Sequence, residues 1–237
     1  QFVGRGEEED GGQQKADPQE PARLEPEEAL LGGEHRRGIV DDGLPVGESV
    51  LGVPILGGAE RLSAIRQQGV MHAVNAVGGI GNINSRLRVF ESLRSAGFAT
   101  PVVMHPRALC EASSLLAPGS QVFANAYIGS CSIIGKGCII NTGAIISHDC
   151  RVGDYSNISP GAILAGNVEI GEEVLVGMGV TVNLNVKIGA GARIGNGATI
   201  KADVPAGSVV LKLSNSAFCV DAASAVCAMP ALPTAMR

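Results

Sequence analysis

The stretch that decides the fold runs from residue 122 to residue 205. Cut every six residues it reads VFANAY IGSCSI IGKGCI INTGAI ISHDCR VGDYSN ISPGAI LAGNVE IGEEVL VGMGVT VNLNVK IGAGAR IGNGAT IKADVP. The first position of each hexad, from Val122 to Ile200, is Ile, Val or Leu fourteen times in succession without an insertion. The fifth, from Ala126 to Val204, is Ala, Ser, Cys or Val throughout. One large aliphatic and one small residue per six is what a β-helix demands: each short strand supplies one core side chain, and each corner admits a small one. Three hexads close one triangular coil, and coils stack at the strand spacing of about 4.8 Å. Entered at about Leu116, the array predicts roughly five coils.

The composition fits that architecture. Gly accounts for 33 of 237 residues, aromatics for 3%, and Trp is absent. A core of stacked Ile and Val has no room for rings. The glycines have no period of three, which excludes a collagen helix. Fourteen of them lie in residues 122–200, and those at 129, 135, 153, 171, 177, 189 and 195 are expected to serve the tight corners. Cys138 and Cys150 fall on the small inward position and read as core hydrophobes.

Charge separates the ends of the chain. Residues 1–37 hold 10 acids and 5 bases, leaving 13 and 13 for the rest, so the net charge of −5 belongs to the N-terminal segment. Without a Lys/Arg-rich run there is no footprint for nucleic acid. No apolar run approaches the ~20 residues that span a bilayer, and the N-terminus has no signal-peptide pattern, so a cytoplasmic protein is expected. The six cysteines show no C-x-x-C spacing, so neither a zinc site nor a redox motif is indicated, and reduced thiols are expected.

Four segments follow. Residues 1–37, rich in Glu, Gln, Gly and Pro, are expected to be disordered. Residues 38–103 read as a partial α/β domain: GIVDDG, VLGVPILGG and VMHAVNAVGGIG are short apolar runs closed by Gly, a helix is expected near residues 61–68, and PVVMHP returns to strand. A second helix over 84–96 places Leu87, Phe90 and Leu93 on one side and stops at Gly97. Residues 104–206 form the β-helix, and 207–237 an atypical tail.

His148, the third residue of ISHDCR, sits at a corner and is expected on the outer surface. An imidazole there can act as a general base with the adjacent Asp149 orienting it, or it can be a solvated turn histidine with an ordinary Asp neighbour; the spacing alone leaves both readings open.

The [LIV]-G-x-x-[small/V]-x array resembles the hexapeptide-repeat acyltransferases. LGVPILGG (51–58), Gly81, Asn82 and Arg86 in GN-x-x-x-R, HP (105–106), residues 140–171 and PAGSVV (205–210) are similar to the family of sialic-acid O-acetyltransferases and UDP-4-amino-sugar N-acetyltransferases. The resemblance covers about residues 38–210. It implies a left-handed parallel β-helix after a small, incomplete Rossmann-like α/β domain, acetyl-CoA as acyl donor, a sugar or nucleotide-sugar acceptor, and a homotrimer with sites between subunits. It implies His148 as general base with Asp149 beside it, Asn141 near the acceptor and the acetyl group, and the Gly166 amide at the thioester oxygen, an oxyanion role. Met178 and Asn196 match positions lining the CoA channel. Asn157 stands where some members carry a second His that contacts CoA. Asp41, Asp42 and Gly58 match the acceptor-binding strand ends.

Two other classes are weighed. A β-helix scaffold with its chemistry lost is the alternative, suggested by the unmatched ends and opposed by the intact INTGAIISHD and LAGN blocks. A zinc enzyme of the same shape needs several coil histidines and has only His148, so no metal is expected.

Overall fold

The computed structural model describes residues 38–80, 83–213 and 216–220. The expectations for residues 1–37 and for most of the tail, and the motif residues Gly81 and Asn82, lie outside the described residues.

Each hexad becomes two residues of strand and a four-residue turn. The chain winds as a left-handed parallel β-helix with three faces. The first face carries Gln121–Val122, Ile139–Ile140, Asn157–Ile158, Leu175–Val176 and Arg193–Ile194. The second carries Tyr127–Ile128, Ile145–Ile146, Ile163–Leu164 and Thr181–Val182, and the third Ile133–Ile134, Arg151–Val152, Glu169–Ile170 and Lys187–Ile188. Neighbours on a face pair in parallel at a register of eighteen residues, as Ile145 with Ile163. All fourteen first-position aliphatics are at most 4% exposed, and the fifth-position residues beside them are buried as well.

The fourth residue of the hexad makes the corner. At thirteen successive fourth positions, from Asn125 to Gly197, φ lies between 56° and 69°, the left-handed region. Gly holds this conformation freely, and Asn and Asp do so more readily than other residues. This changes the reading of the second-position glycines, which are not the residues that need positive φ. A Cβ on Gly153 would lie 2.5 Å from the Gly171 backbone carbon, and one on Gly189 would lie 2.3 Å from the Ala206 nitrogen. These glycines let one coil rest directly on the next.

The prism also begins earlier than the hexads suggest. Its first strand is Val103–Met104, paired with Gln121–Val122, so the strands run through nearly six coils rather than five. Met104, Cys110 and Leu116 occupy the inward positions of the first coil and pack on the core while partly buried. Met and Cys fill the place of an aliphatic without completing the Ile/Val pattern. At the other end Val209–Leu213 adds to the first face and pairs antiparallel with Ser216–Val220.

The N-terminal segment is a small α/β layer. Strands β1 (Ile39–Val40), β2 (Ser49–Val50) and β3 (Val53–Gly57) form a sheet of order β1-β3-β2, followed by helices α1 (Leu62–Gln67) and α2 (Ile83–Ser95). VLGVPILGG is thus not one run but a hairpin, turning on Leu51 and Gly52 with φ of 51° and 77°. Residues 70–80 do not form a strand; His72 makes an isolated bridge to Ala99, closed by the Ala73 N–H on the Ala99 carbonyl (3.0 Å) and the Ala99 N–H on the Met71 carbonyl (3.0 Å), and residues 73–78 are irregular. This stretch is held by side chains. Asn75 Nδ2 donates to the Arg86 carbonyl (2.9 Å), Gln121 Nε2 donates to the Asn75 carbonyl (2.6 Å), and Arg86 donates to the carbonyls of Val77 and, across to the prism, of Gly137 (3.0 Å).

Arg86 is 1% exposed, and burial pulls its pKa below the ordinary guanidinium value. Phe90, next on that side of α2, stacks under the Arg86 guanidinium (5.0 Å) and against the Tyr155 ring (5.5 Å). The expected apolar side of α2 is therefore rotated: Leu93 is buried, Leu87 and Phe90 are half-buried, and the most deeply buried side chain is a cation. The α/β layer meets the prism on the first face, at Gln121 and Asn157, and on the edge where the third face turns into the first, at Gly137 and Tyr155.

Candidate active site

The turn between the second and third faces presents His148 and Asp149. Ile146 is drawn into the core with no exposed surface and Cys150 likewise, so the residues between them are forced outward. The side chains of His148 and Asp149 are 58% and 57% exposed. Asp149 takes the left-handed corner position (φ 61°), which turns its carboxylate back along the chain. Its Oδ2 lies 2.7 Å from His148 Nδ1. This contact makes Nδ1 the protonated nitrogen and leaves the Nε2 lone pair free to take a proton.

One coil further on, at the same corner, stands Gly166. A Cβ there would lie 2.6 Å from His148 Cε1 and 2.7 Å from Nε2. The imidazole therefore lies across the bare α-carbon of Gly166, and any other residue would displace it. The Gly166 carbonyl accepts from Asn185 N–H (3.1 Å), while its own N–H has no partner among the described residues. It shares this with most amides at the third hexad position; among the described residues Lys136, Thr142 and Met178 are those that donate to side chains, at Asp154 Oδ1 (2.8 Å), Asn141 Oδ1 (2.8 Å) and Asn196 Oδ1 (2.9 Å).

Met178 and Asn196 meet on the adjacent edge, between the first and second faces. Asn196 Oδ1 accepts the Met178 N–H at 2.9 Å. Both border a groove of about 320 Å³, lined also by Ser159, Leu175, Arg193 and, from the α/β layer, Ile80. Asn141 is on that same edge, its Oδ1 accepting the Thr142 N–H (2.8 Å). Within one chain these turn residues of the prism thus form two groups on two edges, with the second face between them.

Asn157 belongs to neither group. It is on the first face, 3% exposed, beneath Gly79, whose bare α-carbon leaves room for it: a Cβ on Gly79 would lie 2.8 Å from Asn157 Nδ2. Asp41, Asp42 and Gly58 come together at the ends of β1 and β3. Asp42 Oδ1 accepts the Ala59 N–H (2.7 Å), Asp41 Oδ1 accepts the Gly43 N–H (2.9 Å), and a Cβ on Gly58 would lie 2.5 Å from Asp42 Oδ1. Both carboxylates fasten local backbone at these strand ends.

Among the described residues no group of three or more His, Cys, Asp or Glu is placed to hold a metal ion, and no helix is long and apolar enough to cross a membrane. What the sequence reading missed is the joint of Asn75, Arg86 and Gln121. Arg86 was visible in GN-x-x-x-R, and an Arg on the otherwise apolar side of a helix was the signal.

The bacterial transferase hexapeptide model (six repeats) matches residues 132–166, 149–184 and 167–202. Among solved structures, a histidine-to-asparagine form of perosamine N-acetyltransferase from Caulobacter crescentus, in complex with CoA and GDP-perosamine, is 33% identical; the match covers 73% of this chain and 80% of that one, with a TM-score of 0.69. The acetyltransferase domain of PglB from Neisseria gonorrhoeae, in complex with acetyl coenzyme A, is 34% identical over 77% of this chain and 85% of that one (TM-score 0.70). WeeI from Acinetobacter baumannii is 26% identical over 77% and 85% (TM-score 0.63). No curated protein matches the chain significantly. Repeat units matched through the prism, together with relatives at 33–34% identity covered over at least four fifths of their length, establish that the chain belongs to the hexapeptide-repeat sugar acyltransferases.

Proposed function

We propose that the chain transfers an acetyl group from acetyl-CoA to an amino group of a nucleotide-linked sugar, with His148 as general base. The observation that carries the reading is the stacking of an Asp149-oriented imidazole on the bare α-carbon and free amide of Gly166. The N-acetyl rather than O-acetyl assignment is supported by the relatives, where GDP-perosamine and CoA are bound to an N-acetyltransferase.

The residues suit an acyl thioester. The glycine lets the imidazole lie against the next coil, and its N–H offers a hydrogen bond where negative charge develops. The acceptor amine attacks the acyl carbon while His148 Nε2 takes its proton. The Gly166 N–H receives the oxyanion, a contribution that can rival the base. As the C–S bond breaks, the imidazolium returns the proton to the departing thiolate. Asp149 holds the tautomer throughout. Met178 and Asn196, on the groove of the neighbouring edge, are assigned to the CoA chain, and Asn141 to the acceptor side. Asn157, under Gly79, reaches a ligand only if that segment lifts. Asp41 and Asp42 are assigned to acceptor binding by resemblance.

A homotrimer reconciles the two groups. The second face between them carries Leu109, Ile145 and Ile163 outward, 58%, 39% and 41% exposed. Packing this face on another copy buries that surface and brings the groove edge of one subunit to the His148 edge of the next. Light scattering should then give three times the chain mass.

The decisive experiment is thiol release from acetyl-CoA with a panel of amino-sugar nucleotides and hydroxyl acceptors. His148→Ala should lower turnover by ~10²–10⁴-fold, typical of a lost general base, with an unchanged melting temperature because the side chain is exposed. Turnover equal to the parent protein's refutes the role of His148, and a hydroxyl acceptor preferred over every amine refutes the N-acetyl assignment.

A further inference from the structure

The corner turns close in two ways. Where the small inward residue is Ala, the turn makes its own bond from the first carbonyl to the fourth amide, as Ala144 N–H does to the Asn141 carbonyl (3.0 Å). At His148 a side chain from the coil below takes that place. The Ser132 hydroxyl donates to the Ser147 carbonyl (2.7 Å) and accepts the Cys150 N–H (3.1 Å). One coil on, in the turn 165–168 that carries Gly166, the inserted group is the buried thiol of Cys150. It donates to the Ala165 carbonyl at 3.1 Å, with the His148 carbonyl further away at 3.6 Å; the Val168 amide faces its sulfur, and the Asn167 N–H donates to the His148 carbonyl (2.9 Å).

The Ala165 carbonyl belongs to the same peptide unit as the Gly166 N–H. A hydrogen bond to the oxygen of a peptide polarises its N–H and strengthens it as a donor. With the sulfur in place the Val168 N–H does not close on the Ala165 carbonyl, unlike the fourth amide of the alanine-type turns.

We infer that Cys150 is a positioning residue: its core-facing thiol sets the direction and strength of the Gly166 amide on the opposite, solvent-facing side of the same peptide. The inference rests on the reading of Gly166 as the oxyanion donor. Burial pushes the Cys150 thiol above its ordinary pKa, so it stays protonated and remains a donor at working pH. Without the thiol, the turn can close directly between the Ala165 carbonyl and the Val168 amide, as the alanine-type turns do, and the Gly166 peptide tilts.

The molecule contains its own control. Cys138 occupies the same hexad position on the edge between the third and first faces, and its thiol donates to the Gly153 carbonyl, also at 3.1 Å. No candidate catalytic residue stands on that edge. Removing either thiol costs similar packing, but only Cys150 lies behind the Gly166 amide.

The test compares Cys150→Ala, Cys150→Ser and Cys138→Ala in the full chain, by the Gly166 amide resonance in glycine-labelled protein and by steady-state acetyl transfer. Cys150→Ala should move the Gly166 ¹⁵N and ¹H shifts and lower kcat roughly two- to sevenfold, a 10–30% share of an oxyanion donor's effect, with KM for acetyl-CoA unchanged. Cys150→Ser restores the donor, as Ser132 and Ser156 show that a hydroxyl fits the position, and should recover both readouts. Cys138→Ala should alter neither. A Gly166 resonance that stays in place in Cys150→Ala, or a kcat loss that Cys138→Ala reproduces, overturns the inference. A resonance that moves while kcat holds confirms the thiol's grip on the amide and instead overturns Gly166 as the oxyanion donor.

Discussion

Two edges of the prism obey the same six-residue rule, and on one of them a glycine has a second use. On the edge between the third and first faces, Gly135, Gly153, Gly171 and Gly189 form a column in which each missing Cβ makes room for the backbone of the next coil. On the edge between the second and third faces, the missing Cβ of Gly166 makes room for the imidazole of His148. The first edge is packed beneath α2, through Phe90 against Gly137 and Tyr155; the second is left open. The column on the first edge brings coil onto coil, as Gly129 does on the second against the Ser147 and His148 backbone, whereas Gly166 gives its space to an imidazole.

The largest expected effect breaks the comparison apart with one methyl group. In Gly166→Ala the atoms in the way are the end of an exposed side chain, which swings aside at little cost in stability. A base misplaced by about 1 Å costs on the order of 10²-fold in turnover, so kcat should fall about that far with the melting temperature unchanged. In Gly153→Ala the obstacle is the Gly171 backbone, which cannot swing, and overpacking of this kind costs roughly 1–3 kcal/mol. Urea unfolding should show that loss while kcat at low temperature stays near the parent value. If Gly166→Ala lost stability and kept its turnover, the imidazole would not lie where the geometry puts it.

A smaller effect concerns what covers the first of these edges. Arg86→Met keeps the length of the side chain but removes the donors to the Val77 and Gly137 carbonyls. Leaving buried acceptors unpaired costs roughly 1–3 kcal/mol. Because the prism has its own continuous core, the loss should concentrate in the α/β layer. Hydrogen exchange should accelerate over residues 62–98 and remain slow over 121–194. Uniform acceleration across both regions would mean that the layer and the prism unfold as one unit.

The same contrast explains how much was legible in the sequence. The prism could be read residue by residue, because every coil repeats one local problem: Ile146 in, His148 out, Cys150 in. The exposure of His148 and its pairing with Asp149 follow from that count. The α/β layer has no repeat, and its joint depends on contacts between residues 46 and 51 positions apart, Gln121 with Asn75 and Arg86 with Gly137. No local pattern announces such contacts. The burial of Asn157 under Gly79 escaped for the same reason, since its hexad position is outward and the cover comes from another part of the chain. The second-position glycines were read as corner residues because sequence spacing does not distinguish a positive φ from a close approach between coils.

The smallest effect is a pH slope, and it arises from the inward cysteines that both edges share. Burial pushes the Cys138 thiol up to about 12 from an ordinary 9.0. A folded-state pKa above the unfolded one means that the folded chain keeps its proton where the unfolded chain releases it. The stability this contributes is complete below pH 9 and declines as pH rises toward 12, by about 1.4 kcal/mol per pH unit for one thiol. Cys110, pushed up to about 11, and Cys150, shifted in the same direction, add to the decline. Urea midpoints measured between pH 7 and pH 11 should therefore fall above pH 9, and Cys138→Ala should fall less steeply. The slope and not the level is the readout, because the variant also loses the hydrogen bond to Gly153 and starts lower at neutral pH. Equal slopes would mean that the Cys138 thiol titrates alike in both states, which a fully enclosed position in the core does not allow.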